Sequence, residues 1–320
     1  MYYLNKIFKP LAKISMVSVA LFSFVSCSDD DNNPNPQEPA TSTITDIVVN
    51  NPNFSMLEAA VVKAGLAETL ASNGSFTVFA PDNDAFAASG ITSATIDAMS
   101  VDDLTDILLY HALDSEVAAA NVPAGPNAAV GTINGNSIYL TKNSSGVFVN
   151  GTSVKQADVE ASNGVIHVIS SLLMPPSGTI VETAQANENL SFLVAAVIRA
   201  SEGDTDVLGA LMSDGPLTVF APTNQAFIAA GFPDIASIQA ADPNTLTAIL
   251  TYHVIAARAF SSDLVDGANL PTLNGGTIEV ALGATATVKG DSNTTPSNIV
   301  AVNILTTNGV VHVIDQVLLP

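Results

Sequence analysis

At 320 residues the chain is long enough for two domains. Only 12% of it is charged, and 30 Asp and Glu face nine Lys and Arg, a formal net charge of −21. That balance excludes the clustered basic face that grips a nucleic-acid backbone or anionic lipid headgroups, so no nucleic-acid partner is expected. With 48% apolar residues the chain is not a disordered one, its single cysteine excludes a disulfide framework or a cysteine-based zinc site, and the absence of Trp excludes a Trp-lined sugar platform.

In chain order, residues 1–26 read as a secretory leader. Lys6, Lys9 and Lys13 supply the positive start, residues 14–25 an apolar run, and Ser26 the small residue before Cys27. The run is shorter than the roughly 20 apolar residues that a membrane-spanning helix needs. Phe24-Val25-Ser26-Cys27 resembles a bacterial lipobox, with Phe24 where Leu is usual, and this resemblance implies lipidation of Cys27 and a membrane anchor through it. Residues 27–43 begin Cys27-Ser28-Asp29-Asp30-Asp31 and continue with three prolines, so they form an extended tether. Acidic residues directly after the cysteine also resemble an export signal to the outer face of a bacterial outer membrane; the other reading is a solubilising spacer.

From residue 44 the sequence repeats itself. Phe76-Thr77-Val78-Phe79-Ala80-Pro81-Asp82-Asn83-Asp84-Ala85-Phe86 returns as Leu217-Thr218-Val219-Phe220-Ala221-Pro222-Thr223-Asn224-Gln225-Ala226-Phe227. Tyr110-His111 returns as Tyr252-His253, and Asn163-Gly164-Val165-Ile166-His167-Val168-Ile169 as Asn308-Gly309-Val310-Val311-His312-Val313-Ile314. Three ordered blocks at a nearly constant offset mean a duplicated domain, 44–176 and 177–320, joined at Pro175-Pro176-Ser177-Gly178. Within a copy, apolar spacing predicts a helix over 54–70, matched by 190–200. A strand follows at 76–80, then a short helix capped by Asp82 or Asn83 and ended by Gly90 or Gly231. A further helix runs from Ser100 to His111, opened in the second copy by Asp242-Pro243. The remainder is Thr/Val/Ile-rich strand with turns at Asn134-Gly135 and Asn150-Gly151. Helices lead and strands follow, so the class is α+β.

Thr77-Val78-Phe79-Ala80-Pro81-x-Asn83-x-Ala85-Phe86, then Tyr110-His111, then Asn163-Gly164-Val165-Ile166-His167-Val168-Ile169 resemble the signature of the fasciclin (FAS1) domain, twice over. The resemblance implies two tandem domains, each a β-wedge or sandwich with packed helices, and an extracellular role in adhesion. It makes Pro81, Asn83, His167, Pro222, Asn224 and His312 structural motif residues. It also links the Tyr110-His111 and Tyr252-His253 pairs to receptor contact, the alternative being a structural role at a helix end. An Asp-Ile pair credited with integrin contact in animal members falls here on Asp158-Val159, and on Asn303-Ile304 in the second copy, so an animal-integrin ligand does not follow.

No close metal-ligand spacing joins the four histidines, and alternation places His167 opposite Ile166 and Val168 as a half-buried imidazole bonded to backbone. Nucleophile and phosphate-loop motifs are missing, and Asp102, Asp103 and Asp106 read as helix capping on a solvated face. No enzyme, metal or cofactor is expected. The sequence therefore points to a non-catalytic surface adhesion or interaction lipoprotein, with a cell-surface outer-membrane location and an extracellular protein or glycan as ligand. The alternative is a glycan- or ligand-capturing lipoprotein serving an uptake system, which the lack of Trp disfavours.

Overall fold

A computed structural model describes residues 40–320. In the first copy Thr43 caps α1 (Ile44–Val49) in a capping box with Asp46. The expected helix over 54–70 is two: α2 (Ser55–Ala64) and α3 (Ala67–Ala71). The break is Gly65, whose φ of 71° ends α2 in the left-handed conformation that glycine adopts without strain. Strand β1 (Phe76–Pro81) leads through the N-cap Asp82 into α4 (Asn83–Ala88). Helix α4 ends at Ser89, with Gly90 one residue beyond. Then come α5 (Ser93–Ala98), α6 (Val101–Tyr110) capped by Ser100, and β2 (Ala112–Leu113). Five strands close the copy: β3 (Gly125–Gly131), β4 (Ser137–Asn143), β5 (Gly146–Val149), β6 (Thr152–Ala161) and β7 (Gly164–Ile169).

One sheet, in the order β2-β1-β7-β6-β5-β4-β3, carries all seven strands. The first and last long strands, β1 and β7, lie parallel as second and third in that order, Phe76 opposite Gly164 through Pro81 opposite Ile169, and every other neighbour is antiparallel. This parallel pair is covered on both faces, which explains its nearly unbroken apolar run. Alternate side chains serve two cores. Val78, Ala80, Ile166 and Val168 pack under the helices with Leu57, Val61, Leu104 and Leu108. Phe79 and Ile169 pack on the other face with Ile138, Leu140 and Val149 from β4 and β5, so the sheet curls over on itself as a wedge. Gly164 is required at the β7 start, since a Cβ there would lie 2.0 Å from the Phe76 carbonyl oxygen.

The second copy repeats this plan. Its elements are α7 (Ile180–Gln185), α8 (Ser191–Ala200), α9 (Val207–Leu211), β8 (Leu217–Pro222), α10 (Asn224–Ala229), α11 (Ile235–Gln239), α12 (Pro243–Tyr252), β9 (Val254–Ile255), β10 (Asn269–Pro271), β11 (Thr277–Leu282), β12 (Ala286–Gly290), β13 (Ser297–Thr306) and β14 (Gly309–Ile314). The sheet order is β10-β11-β12-β13-β14-β8-β9 with β8 and β14 parallel. The class is α+β in both copies. The connection from α8 to α9 is longer than that from α2 to α3, and Ser201 bridges it by accepting from Leu208 N–H at 2.8 Å.

Candidate functional site

The helix-end pairs lie inside the fold. Tyr110 and Tyr252 are 0% exposed, His111 2% and His253 1%. Receptor contact would need these pairs at the surface, but the segment that closes each copy lies over the histidines. His111 caps α6, and its Nδ1 donates to the Ile107 carbonyl (2.8 Å) while Nε2 accepts from Leu173 N–H (3.0 Å). His253 does the same with Ile249 (2.8 Å) and Leu318 (2.8 Å). A ring nitrogen facing an N–H must be the acceptor, so both imidazoles are neutral with the proton on Nδ1. Burial drives both pKa values down to about 4. Tyr110 Oη donates to Ser137 O (3.0 Å) and accepts from Asn150 Nδ2 (2.9 Å), and burial pushes its pKa up. Tyr252 donates to Thr277 O and accepts from Asp291 N–H at 2.9 Å. Each pair thus latches the end of its own domain to the helix and sheet.

His167 and His312 are the mirror case. His167 is buried and lies tilted against Phe79, ring centroids 5.3 Å apart. Its Nε2 donates to Val117 O (2.8 Å) and its Nδ1 accepts from Asp158 N–H (3.2 Å). His312 donates to Ala259 O (2.9 Å) and accepts from Asn303 N–H (3.4 Å), and burial lowers its pKa. The two histidines of a copy therefore carry opposite tautomers.

Asp158 and Asn303 stand at the register shift of β6 and β13, with φ of 55° and 61°. Only Gly, Asn and Asp adopt that backbone readily. Asp158 Oδ1 accepts from Ala119 N–H (2.8 Å), and Asn303 Oδ1 from Ser261 N–H (2.7 Å). The change from Asp to Asn between copies keeps both the conformation and the acceptor. Asp158 is exposed and Val159 half-buried beside it. Asn303 and Ile304 instead line a cavity of about 400 Å³ against Leu172, Leu173, Met174 and Pro175 of the first copy.

The proline-asparagine motif also holds backbone. Pro81 and Pro222 end β1 and β8 opposite Ile169 and Ile314. Asn83 accepts from Met56 N–H (3.0 Å) and donates to Pro52 O (3.0 Å), fastening the start of α2. Asn224 repeats this with Phe192 and Glu188, at 2.9 Å each. Asn163 and Asn308, which the sequence reading did not single out, do as much. Asn163 accepts from Ile44 N–H and donates to Leu70 O and Ser72 O, tying α1, α3 and β7 together, and Asn308 makes the same three bonds. Their return at one place in both copies was the available signal.

A second group without any sequence signal joins the copies. The Arg258 guanidinium lies 4.0 Å above the Tyr139 ring, and burial lowers its pKa. Asp263 accepts from Thr141 (3.0 Å) and Asn127 (3.2 Å), Asn127 Nδ2 also donates to Arg258 O (2.7 Å), and Asn143 Nδ2 to Ser262 O (3.0 Å). Among the described residues no group of three or more His, Cys, Asp or Glu side chains is placed to hold a metal ion, and no helix is long and apolar enough to cross a membrane. Cys27, the leader and most of the tether lie outside the described residues.

The arrangement defines a tandem α+β scaffold whose recurring polar residues face its own backbone. The chain belongs to the fasciclin domain family, whose model matches residues 52–175 and 188–320. Among similar proteins, Protein sll1483 of Synechocystis sp. is 42% identical over 138 residues, covering 42% of this chain and 74% of that one. Periostin of Homo sapiens is 32% identical over 259 residues, 80% of this chain but 29% of that protein. Immunogenic protein MPB70 of Mycobacterium bovis is 33% identical over 135 residues, 40% of this chain and 66% of that one. A solved FAS1 domain pair from the insect cell adhesion molecule fasciclin I aligns over 84% of this chain at a TM-score of 0.41 and 19% identity.

Proposed function

We propose that the protein is a non-catalytic adhesion or interaction module, held at the outer surface of a bacterial outer membrane by lipid on Cys27, with residues 27–43 as the spacer and an extracellular protein or glycan as ligand. The observation that carries this reading is the burial of every motif histidine and tyrosine on backbone partners. Acid–base groups held so have no access to a substrate. Membership of the fasciclin domain family favours extracellular binding over chemistry. The exposed first-copy bulge at Asp158-Val159 is the recognition candidate that solvent reaches, whereas Tyr110-His111 and Tyr252-His253 serve the fold.

The test is adhesion of cells displaying the full chain, beside a Cys27→Ala variant. The expected result is surface display and adhesion for the first, and release into soluble fractions with loss of adhesion for the second. Should the variant still partition with membranes after a salt wash, the anchor is wrong. Should display confer no adhesion and no capture of extracellular protein or glycan, the module reading fails.

A further inference from the structure

The two copies differ where the first helix packs over the core. In the second copy an apolar cavity of about 130 Å³ lies between α7, α8, α9, α12 and the β8–β9 pair. Its floor is Leu193, Val197, Leu211, Val219, Leu250 and Val254. At the same place in the first copy the cavity is about 30 Å³. Thr43 and Thr179 cap their helices alike, which aligns Val48 with Ala184 and Glu58 with Val194. The second copy has thus lost two methyl groups from its roof and a carboxylate from its rim.

Two lining residues, Gln185 and Ile198, are exposed, which places the opening between the C-terminal ends of α7 and α8. No charged side chain lines the cavity, and its one buried polar group, His253, has both ring nitrogens engaged within the protein. A dry apolar cavity of this size accepts a molecule of about six carbon atoms. The net charge of −21 and the absence of a cation from the lining disfavour a carboxylate head.

We infer that the second copy binds the alkyl end of a neutral amphiphile in this cavity, its uncharged head leaving at Gln185, and that the first copy does not. The probe is 1-hexanol, titrated into the folded two-domain protein and followed by methyl chemical shifts, with hexanoate as the anionic control. One saturable site is expected, with shifts at Leu193, Val197 and Leu211 and weaker binding of hexanoate. Ala184→Val restores the valine of the first copy and weakens binding by about tenfold or more. Val48→Ala opens the first copy and adds a second, weaker site. Shifts spread over both copies, hexanol binding that Ala184→Val leaves unchanged, or no saturation in the unmodified protein each overturn the inference. The unmodified protein alone decides the matter if Ala184→Val does not fold.

Discussion

The two ring nitrogens of His111 hold groups that belong to different ends of the domain, the last turn of α6 and the closing segment at Leu173. Removing the ring leaves a cavity and strands the Leu173 N–H in the interior. His111→Ala is therefore expected to cost about 2–4 kcal/mol, as much as His167→Ala. Chemical denaturation of both variants checks this, and a His111 variant within error of the parent would remove the latch. The same burial makes stability pH-dependent. His111 and His253 titrate near 4 when folded and near 6.5 when unfolded, and His312 is lowered in the same direction. Above about 6.5 these rings are neutral in both states and their contribution is complete. As pH falls from 6.5 toward 4 the unfolded chain takes up protons first, so His111 and His253 each give up about 1.4 kcal/mol per pH unit, and His312 acts in the same direction. Denaturation between pH 7 and pH 4.5 should show that slope, and it should lessen in His253→Gln.

At the scale of the element, the bulge in β6 shows how a recognition motif and a structural device occupy the same two residues. Left-handed backbone at Asp158 and a carboxylate accepting from Ala119 explain the residue without any ligand. Asp158→Asn should leave stability within about 0.5 kcal/mol, because Asn303 performs the same task in the second copy. Asp158→Ala should cost about 1–3 kcal/mol through backbone strain and the lost acceptor. A thermal melt of each variant beside an adhesion assay separates the roles: adhesion lost in a fully stable Asp158→Asn makes the charge a contact. Legibility divides in the same way. The parallel strands, the caps at Ser100 and Asp242 and the helix α6 follow from apolar runs and capping chemistry over enough residues to show a period. Helices α1 and α5 span six residues each, too few for a period to emerge, and the break at Gly65 was overridden by apolar spacing that happens to continue across it. Burial of Tyr110 and His111 was not legible, because what meets them lies far along the chain: Ser137 and Asn150 for the tyrosine, and Leu173, 62 positions on, for the histidine.

For the whole molecule the question is how far two copies of one domain act as one body. Residues 40–320 belong to one compact unit, yet the cores hardly mix: each copy has its own pair, and Leu305 packs against a core of the first copy. Besides Leu305 and the contact of the Tyr139 and Phe260 rings, what joins them is polar and local: the Arg258–Tyr139 stack and the bonds from Asn127, Thr141 and Asn143. A cation over an aromatic ring in a partly desolvated contact contributes about 1–2 kcal/mol, and the Pro175-Pro176 linker keeps the partners at high effective concentration. Arg258→Ala should therefore loosen the docking without unfolding either copy. Native-state hydrogen exchange reads this directly. Amides of residues 139–143 and 258–263 are expected to exchange about tenfold faster, the ratio that a loss near 1.4 kcal/mol gives. Amides of the parallel strands, such as Val78 and Val219, should keep their protection, because their bonds lie within a single copy. Equal acceleration at Val78 and Val219 would mean that the copies unfold together and that the junction is part of one cooperative core.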